Sequence, residues 1–272
     1  ATNTISNVVF IVDESGSMGN DQDFLENTVI DKLDTDLQGA GVTNRSYGVV
    51  GYGGNIGGPN DDPRLVGGGL ADSATTKTNL GNLTTSGGFE DGWAAIDFAI
   101  NTFTFTPGAA INFVLVTDEN RDVTPGIGLT FNSVLNSLTS KNILLNAIVD
   151  NRFADGNGDR AIGIDDQGDA YLADGSGGFT TTTGGVAGSG DGNTKGEYVD
   201  LALGTGGAAW DIALLRSSKT AESFGNAFID IKVQEITTQP PSTPVIPLPA
   251  AGWLMITGLG GLAMLRRRRK AA

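Results

Sequence analysis

Asp13-Glu14-Ser15-Gly16-Ser17 follows directly on an apolar run at residues 8–12. A carboxylate and two hydroxyls at alternate positions offer hard oxygens from five residues, while the side chains between them can point away. That donor set suits Mg²⁺, which prefers an octahedron of oxygens and commonly keeps waters, so a position stays open to an incoming ligand. A second apolar run, 111–117, ends in Asp118. In a parallel sheet that carboxylate lies beside the first, at the same edge. The plain alternatives are an N-cap at Asp13-x-Ser15-x-Ser17 and a solvated turn at Asp118-Glu119-Asn120.

Composition narrows the chemistry. The 272 residues contain no Cys and no His, which removes thiolate sites, imidazole zinc sites and His-based triads. A metal must be held by oxygen, so Mg²⁺ is expected and Ca²⁺ or Mn²⁺ are the alternatives. Paired carboxylates occur, but no acid/base partner accompanies them, and the chain reads as a non-enzyme. Lys and Arg number 17 against 31 acids, and residues 266–270 supply five of the bases. Without them 12 bases face 31 acids, a net −19 that excludes nucleic acid and anionic membranes as partners of the body. The sequence begins at Ala1 without Met, which we read as a mature form whose secretory signal has been removed.

The elements that must position these groups follow from periodicity. Apolar runs at 8–12, 47–52, 111–117, 143–149 and 210–215 read as strands. Leu25, Val29, Leu33 and Leu37 share a helical stripe, as do Trp93, Ile96, Ile100 and Phe103, then Phe131, Val134, Leu135 and Leu138, and finally Phe224, Phe228 and Ile231. The alternation predicts an α/β domain, a doubly wound and mostly parallel central sheet flanked by helices, with ligands at the carboxyl ends of its strands. Between residues 151 and 207 the pattern breaks, with 16 glycines in 57 residues. This reads as a Gly-rich insertion, a hairpin through 161–164 and 170–172 followed by a mobile loop. Within it, Asp155, Asn157 and Asp159 have the alternate-oxygen spacing of a separate calcium loop, although Arg160 stands where an EF-hand has Gly. The alternative is a solvated turn.

Residues 237–244, rich in Pro and Thr, read as a linker. Residues 250–265 are apolar, sixteen residues or about 24 Å of helix, and precede the basic tail 266–270; a short transmembrane helix with its arginines in the cytoplasm is expected. This tail, with Ile246-Pro247-Leu248-Pro249-Ala250 ahead of the helix, resembles the PEP-CTERM sorting signals in their Val-Pro-Leu-Pro-Ala variant. The resemblance implies a Gram-negative envelope protein, anchored in the inner membrane until an exosortase-like enzyme processes it for the cell surface or an extracellular matrix.

Strand-Asp-x-Ser-x-Ser-helix, followed about a hundred residues later by a strand ending in Thr-Asp, resembles the von Willebrand factor type A domain and its metal-ion-dependent adhesion site, over residues 5–236. The resemblance assigns metal ligation to Asp13, Ser15, Ser17 and Asp118. It also implies a middle-loop Thr after a Gly-Gly pair. Here Phe89 follows Gly87-Gly88, so Thr85, Ser86 or Glu90 must supply that oxygen, Glu90 directly or through water. The expected function is metal-dependent adhesion, in which the cation accepts an acidic group from an extracellular protein or polysaccharide matrix ligand. A structural matrix component stabilised by its metal, and a metal-dependent hydrolase, are the alternatives.

Overall fold

The structure is a computed structural model and describes residues 2–56 and 62–240. Its strands are β1 (Ile5–Asp13), β2 (Asn44–Tyr52), β3 (Arg64–Leu65), β4 (Ala110–Val116), β5 (Ile143–Val149), β6 (Asn151–Ala154), β7 (Arg160–Ala161), β8 (Gly163–Asp165), β9 (Asp169–Ala173), β10 (Phe179–Thr183), β11 (Val186–Gly190) and β12 (Ala208–Asp211). Helix α1 (Gly19–Phe24) continues through a π-helical turn (Leu25–Val29) into α2 (Ile30–Gly39). The other helices are α3 (Ser73–Leu80), α4 (Gly92–Thr102), α5 (Phe131–Ser140), α6 (Asp200–Gly204), α7 (Ile212–Leu215) and α8 (Ala221–Thr238).

Nine strands form the main sheet in the order β10-β9-β8-β12-β5-β4-β1-β2-β3. From β12 to β2 every pairing is parallel, and the flanking pairs are antiparallel. Among the parallel strands the chain order reverses between β1 and β4, which is where a doubly wound sheet opens a crevice at its carboxyl edge. β1 ends in Asp13 and β4 runs into Thr117 and Asp118 on either side of that reversal.

Strand alternation divides β1 between two cores. Val8, Phe10 and Val12 pack with Leu25, Val29, Leu33 and Leu37 and with Phe224 and Phe228 of α8. Val9 and Ile11 face Trp93, Ile96 and Ile100 of α4 and Val134 and Leu138 of α5. The five apolar side chains from Val8 to Val12 have no exposed surface, so the strand ending in Asp13 cannot shift without moving both cores.

The insertion differs from expectation. The hairpin forms, as β8 and β9, but strands β10 and β11 and a second π-helical turn (Lys195–Val199) leading into α6 replace the mobile loop. β8–β10 widen the main sheet, while β11, β6 and β7 make a separate three-stranded one. Three Asp-led turns shape it. Asp155 accepts from the amides of Asn157 and Asp159, Asp165 from Gln167 and Asp169, and Asp174 from Ser176 and Gly178. Each carboxylate thus closes its turn on backbone donors, an Asx device repeated along the insertion.

The expected strand 210–215 is also revised. Only Ala208–Asp211 is extended; the Asp211 side chain accepts from the Ala213 amide at 3.0 Å and starts α7.

At the amino ends of the strands a buried polar network fixes α8. Lys232, with no exposure, lies 2.6 Å from Glu235 and donates to Asn112, while Asn146 links Glu235 to the Trp210 indole. Gln239 bonds Asn112 and the carbonyls of Ile111 and Asn142. Thr237 and Thr238, placed in the linker by sequence, therefore belong to the last turn of a docked helix. The sorting motif, the helix at 250–265 and the basic tail lie outside the described residues, and no described helix is long and apolar enough to cross a membrane.

A second tie holds the loop beyond Asp118. Arg121 forks Asp91 at 2.5 and 2.9 Å, both side chains are nearly unexposed, and the guanidinium lies 4.2 Å from the centre of the Trp93 ring. Asp91 also caps α4 and accepts from Thr124. Arg121→Met is expected to cost about 3–5 kcal/mol, because it leaves Asp91 buried and unpaired. Urea denaturation of wild type and variant checks this, and a loss within experimental error of zero would contradict it.

Candidate metal centre

The loop after β1 is folded by its own aspartate. Asp13 Oδ1 accepts from the Ser15 amide at 2.7 Å and Oδ2 from the Thr117 hydroxyl at 2.8 Å, so one carboxylate joins the ends of β1 and β4. Asp13 has no exposed surface. Ser15 Oγ lies 3.2 Å from Ser17 Oγ, and Ser17 Oγ donates to Asp118 Oδ1 at 2.9 Å. The four residues form one hydrogen-bonded chain across the switch point. The capping alternative fails for the hydroxyls, since the N-cap of α1 is Met18 and no side chain caps that helix.

Glu14, between the chained residues, points elsewhere. It forks Arg64 at 2.9 and 2.5 Å and accepts from the Thr84 amide at 2.7 Å, which pulls the middle loop against β1. Gln22 completes that attachment by donating to the carbonyls of Asp13 and Thr84. The Ser86 amide bonds the Glu14 carbonyl, so Thr85 and Ser86 run beside the Asp13 loop, both exposed.

Glu90 is different in kind. It is 1 % exposed, neither carboxylate oxygen makes a well-formed hydrogen bond among the described residues, and the neighbouring Glu119 side chain favours its protonated form. Gly53 explains how it comes so near: a Cβ there would lie 3.1 Å from Glu90 Cγ and 3.2 Å from Asp13 Oδ1, and φ is +78°. Only glycine lets β2 end with the two acids so close. Burial pushes the Asp13 carboxyl from 3.8 up to about 7, against the hydrogen bonds of Ser15 and Thr117. Burial, then the charges of Asp13, Glu119 and Asp122, pushes Glu90 from 4.5 up to about 8.

Among the described residues no group of three Asp or Glu side chains is placed to hold a cation, so Asp13, Asp118 and Glu90 do not form a common carboxylate cluster. The Asp13 and Asp118 carboxylates and the Ser15 and Ser17 hydroxyls are the kind of oxygens a hard dication takes, and Glu90 is a further buried carboxylate beside Asp13. Thr85 and Ser86 stand at the rim. Asp155, Asn157 and Asp159 sit on the β6–β7 turn, apart from this centre; the Asp155 oxygens also take the Asn157 side-chain amide and the Thr182 hydroxyl. Arg160, the departure from a calcium loop, pairs with buried Asp211.

Three participants were not singled out in the sequence. Thr117 is readable in hindsight from its place before Asp118 at a strand end. Arg216 and Asp21 carry no local signal: Arg216 reaches Asp118 Oδ2 at 2.9 Å and Asp21 at 2.5 Å from the far end of α7. Burial disfavours its charge, but hydrogen bonds and attraction from Asp21, then Asp118, outweigh that and raise its pKa. The insertion borders the site as well. Gly192 abuts Asn120 so closely that a Cβ would lie 2.3 Å from Oδ1, and the Asn120 amide faces Asp191 at 3.4 Å.

No family model matches the sequence, and no curated protein matches it. Solved structures do resemble the fold. An aerotolerance-related membrane protein from Bacteroides fragilis is 16 % identical, with a TM-score of 0.47 over 85 % of this chain and 98 % of that one. A von Willebrand factor type A protein from Catenulispora acidiphila is 22 % identical, with a TM-score of 0.40 over 54 % of this chain and 33 % of that one. Proximal thread matrix protein 1 from the mussel byssus, with a zinc-occupied MIDAS motif, is 15 % identical, with a TM-score of 0.40 over 55 % and 37 %. The chain thus spans about a third of the length of the latter two.

The raised carboxyls set a pH dependence. Asp13 and Glu90 keep protons in the fold that the unfolded chain has lost, so their contribution to stability falls as pH rises from about 4 toward 8. A dication needs the deprotonated forms. The rise in melting temperature on adding Mg²⁺ is therefore expected to be larger at about pH 8 than at about pH 5. Thermal melts in Mg²⁺ and in EDTA at both pH values test this; an equal rise at both contradicts it.

Proposed function

We propose that this chain is a von Willebrand factor type A-like binding domain, not an enzyme. In this reading Asp13, Ser15, Ser17 and Asp118 hold a divalent cation, Mg²⁺ before Ca²⁺ or Mn²⁺, Glu90 serves it through water, and Thr85 and Ser86 line its approach. The observation that carries the reading is Glu90, a carboxylate buried beside Asp13 with neither oxygen in a well-formed hydrogen bond among the described residues. Two buried acids at one strand switch point are costly unless a cation accompanies them. A bound cation would supply an open coordination position for an acidic oxygen of a ligand. The exposed Ser17 and the hydrogen-bonded loop around it keep that edge reachable.

The sequence of the tail supports export, inner-membrane anchoring, exosortase-like processing and display outside the cell, where the partner is a matrix protein or polysaccharide bearing acidic groups. The acidic body agrees with that setting, since it repels nucleic acid and anionic lipid.

Mg²⁺ at about a hundred times its Kd is expected to raise the melting temperature by roughly 5–10 °C. Asp13→Ala removes that rise, and Glu90→Gln reduces it, as read by differential scanning calorimetry. An identical response in wild type and Asp13→Ala would refute the site. Capture of matrix material from culture supernatant is expected to disappear in EDTA. Capture that survives EDTA with the fold intact would favour a structural role for the domain.

A further inference from the structure

Arg216 is placed where no ligand assignment requires a cation. It follows α7 and spans to the start of α1, where its Nε and Nη2 grip Asp21 at 3.1 and 2.5 Å. Asp21 has no exposed surface, whereas the Arg216 side chain is 30 % exposed. The same Nη2 bonds Asp118 Oδ2 at 2.9 Å and points at the Ser17 carbonyl at 3.5 Å. Asp118 therefore divides its carboxylate, Oδ1 accepting from Ser17 and Oδ2 from the guanidinium. Among the described residues, Asp118 is paired with a basic side chain, whereas Asp13 and Glu90 have none.

We propose that Arg216 is a specificity-determining residue of the cation site, a resident monovalent cation that competes with the divalent ion for Asp118. This rests on the cation reading given above. The fixed charge of a guanidinium cannot be titrated away, and the buried fork to Asp21 keeps it from swinging into solvent. A dication engaging Asp118 must share or displace that contact and tolerate the like charge beside it. Arg216 thereby weakens the site for cations alone and favours the state in which an acidic ligand is also bound, since an anion offsets both positive charges.

The test is titration of the full chain with Mg²⁺ and with Mn²⁺ by isothermal calorimetry, each fold verified by circular dichroism. Arg216→Gln is paired with Asp21→Asn, so that no buried carboxylate is left unpaired. Removing a unit charge about 6 Å from a dication in a water-like dielectric predicts binding about tenfold tighter in the double variant than in Asp21→Asn alone, since both have lost the Asp21 charge. Arg216→Lys keeps the charge and is expected to stay within about twofold of wild type, which a purely structural role would not predict. Binding by the folded double variant equal to or weaker than that of Asp21→Asn overturns the role of Arg216 while leaving the site intact. Absence of binding in wild type and all variants overturns the cation reading itself, and this inference with it.

Discussion

The end of β1 places a carboxylate where water cannot reach it. Asp13 is held there by packing on both faces of the strand, and its two oxygens are occupied by Ser15 and Thr117. Everything around it answers to that charge. Gly53 has no side chain because Glu90 and Asp13 fill its place; Thr117 is a hydroxyl because a donor must face the acid; the Ser15 amide turns back because the carboxylate draws it. Desolvation is the largest effect on both Asp13 and Glu90, and no guanidinium or ammonium among the described residues compensates them. The centre is thus prepared for positive charge from outside the chain.

Such a site needs a rigid mounting, and the structure supplies it with ion pairs that avoid the centre. Glu14–Arg64 draws the middle loop to β1, Asp91–Arg121 fixes the loop after Asp118 to α4, and Arg160–Asp211 attaches the insertion beside β12. Each joins segments far apart in sequence, and in each at least one partner is nearly unexposed. The buried acids in these pairs have their cations; Glu90 does not. That contrast, more than acidity as such, separates the centre from the rest of a strongly acidic surface.

Much of this was legible in the chain. The core of β1, its terminal Asp-x-Ser-x-Ser and the Thr-Asp at the end of β4 are local patterns, and the Leu25, Val29, Leu33, Leu37 stripe marks its helix by spacing alone. What was hidden is what depends on the third dimension. The 210–215 run is apolar but for Asp211, so periodicity could not locate the change from strand to helix that the Asp211 cap imposes. In the insertion, repeated Gly read as a mobile loop after one hairpin, whereas Asp155, Asp165 and Asp174 close three consecutive turns there. Arg216 lies 98 residues beyond Asp118 and has no pattern around it. Its role arises only when α7 is laid beside α1.

The docking of Gln239 has an implication for orientation. It bonds the carbonyls of Ile111 and Asn142, at the amino ends of β4 and β5, whereas Asp13 and Asp118 lie at the carboxyl ends. Seven residues of β4, roughly 23 Å of strand, separate those two poles. The last described residues thus pack at the pole opposite Asp13 and Asp118, so the two ends of β4 carry separate duties, one anchoring the end of α8 and the other meeting the acids.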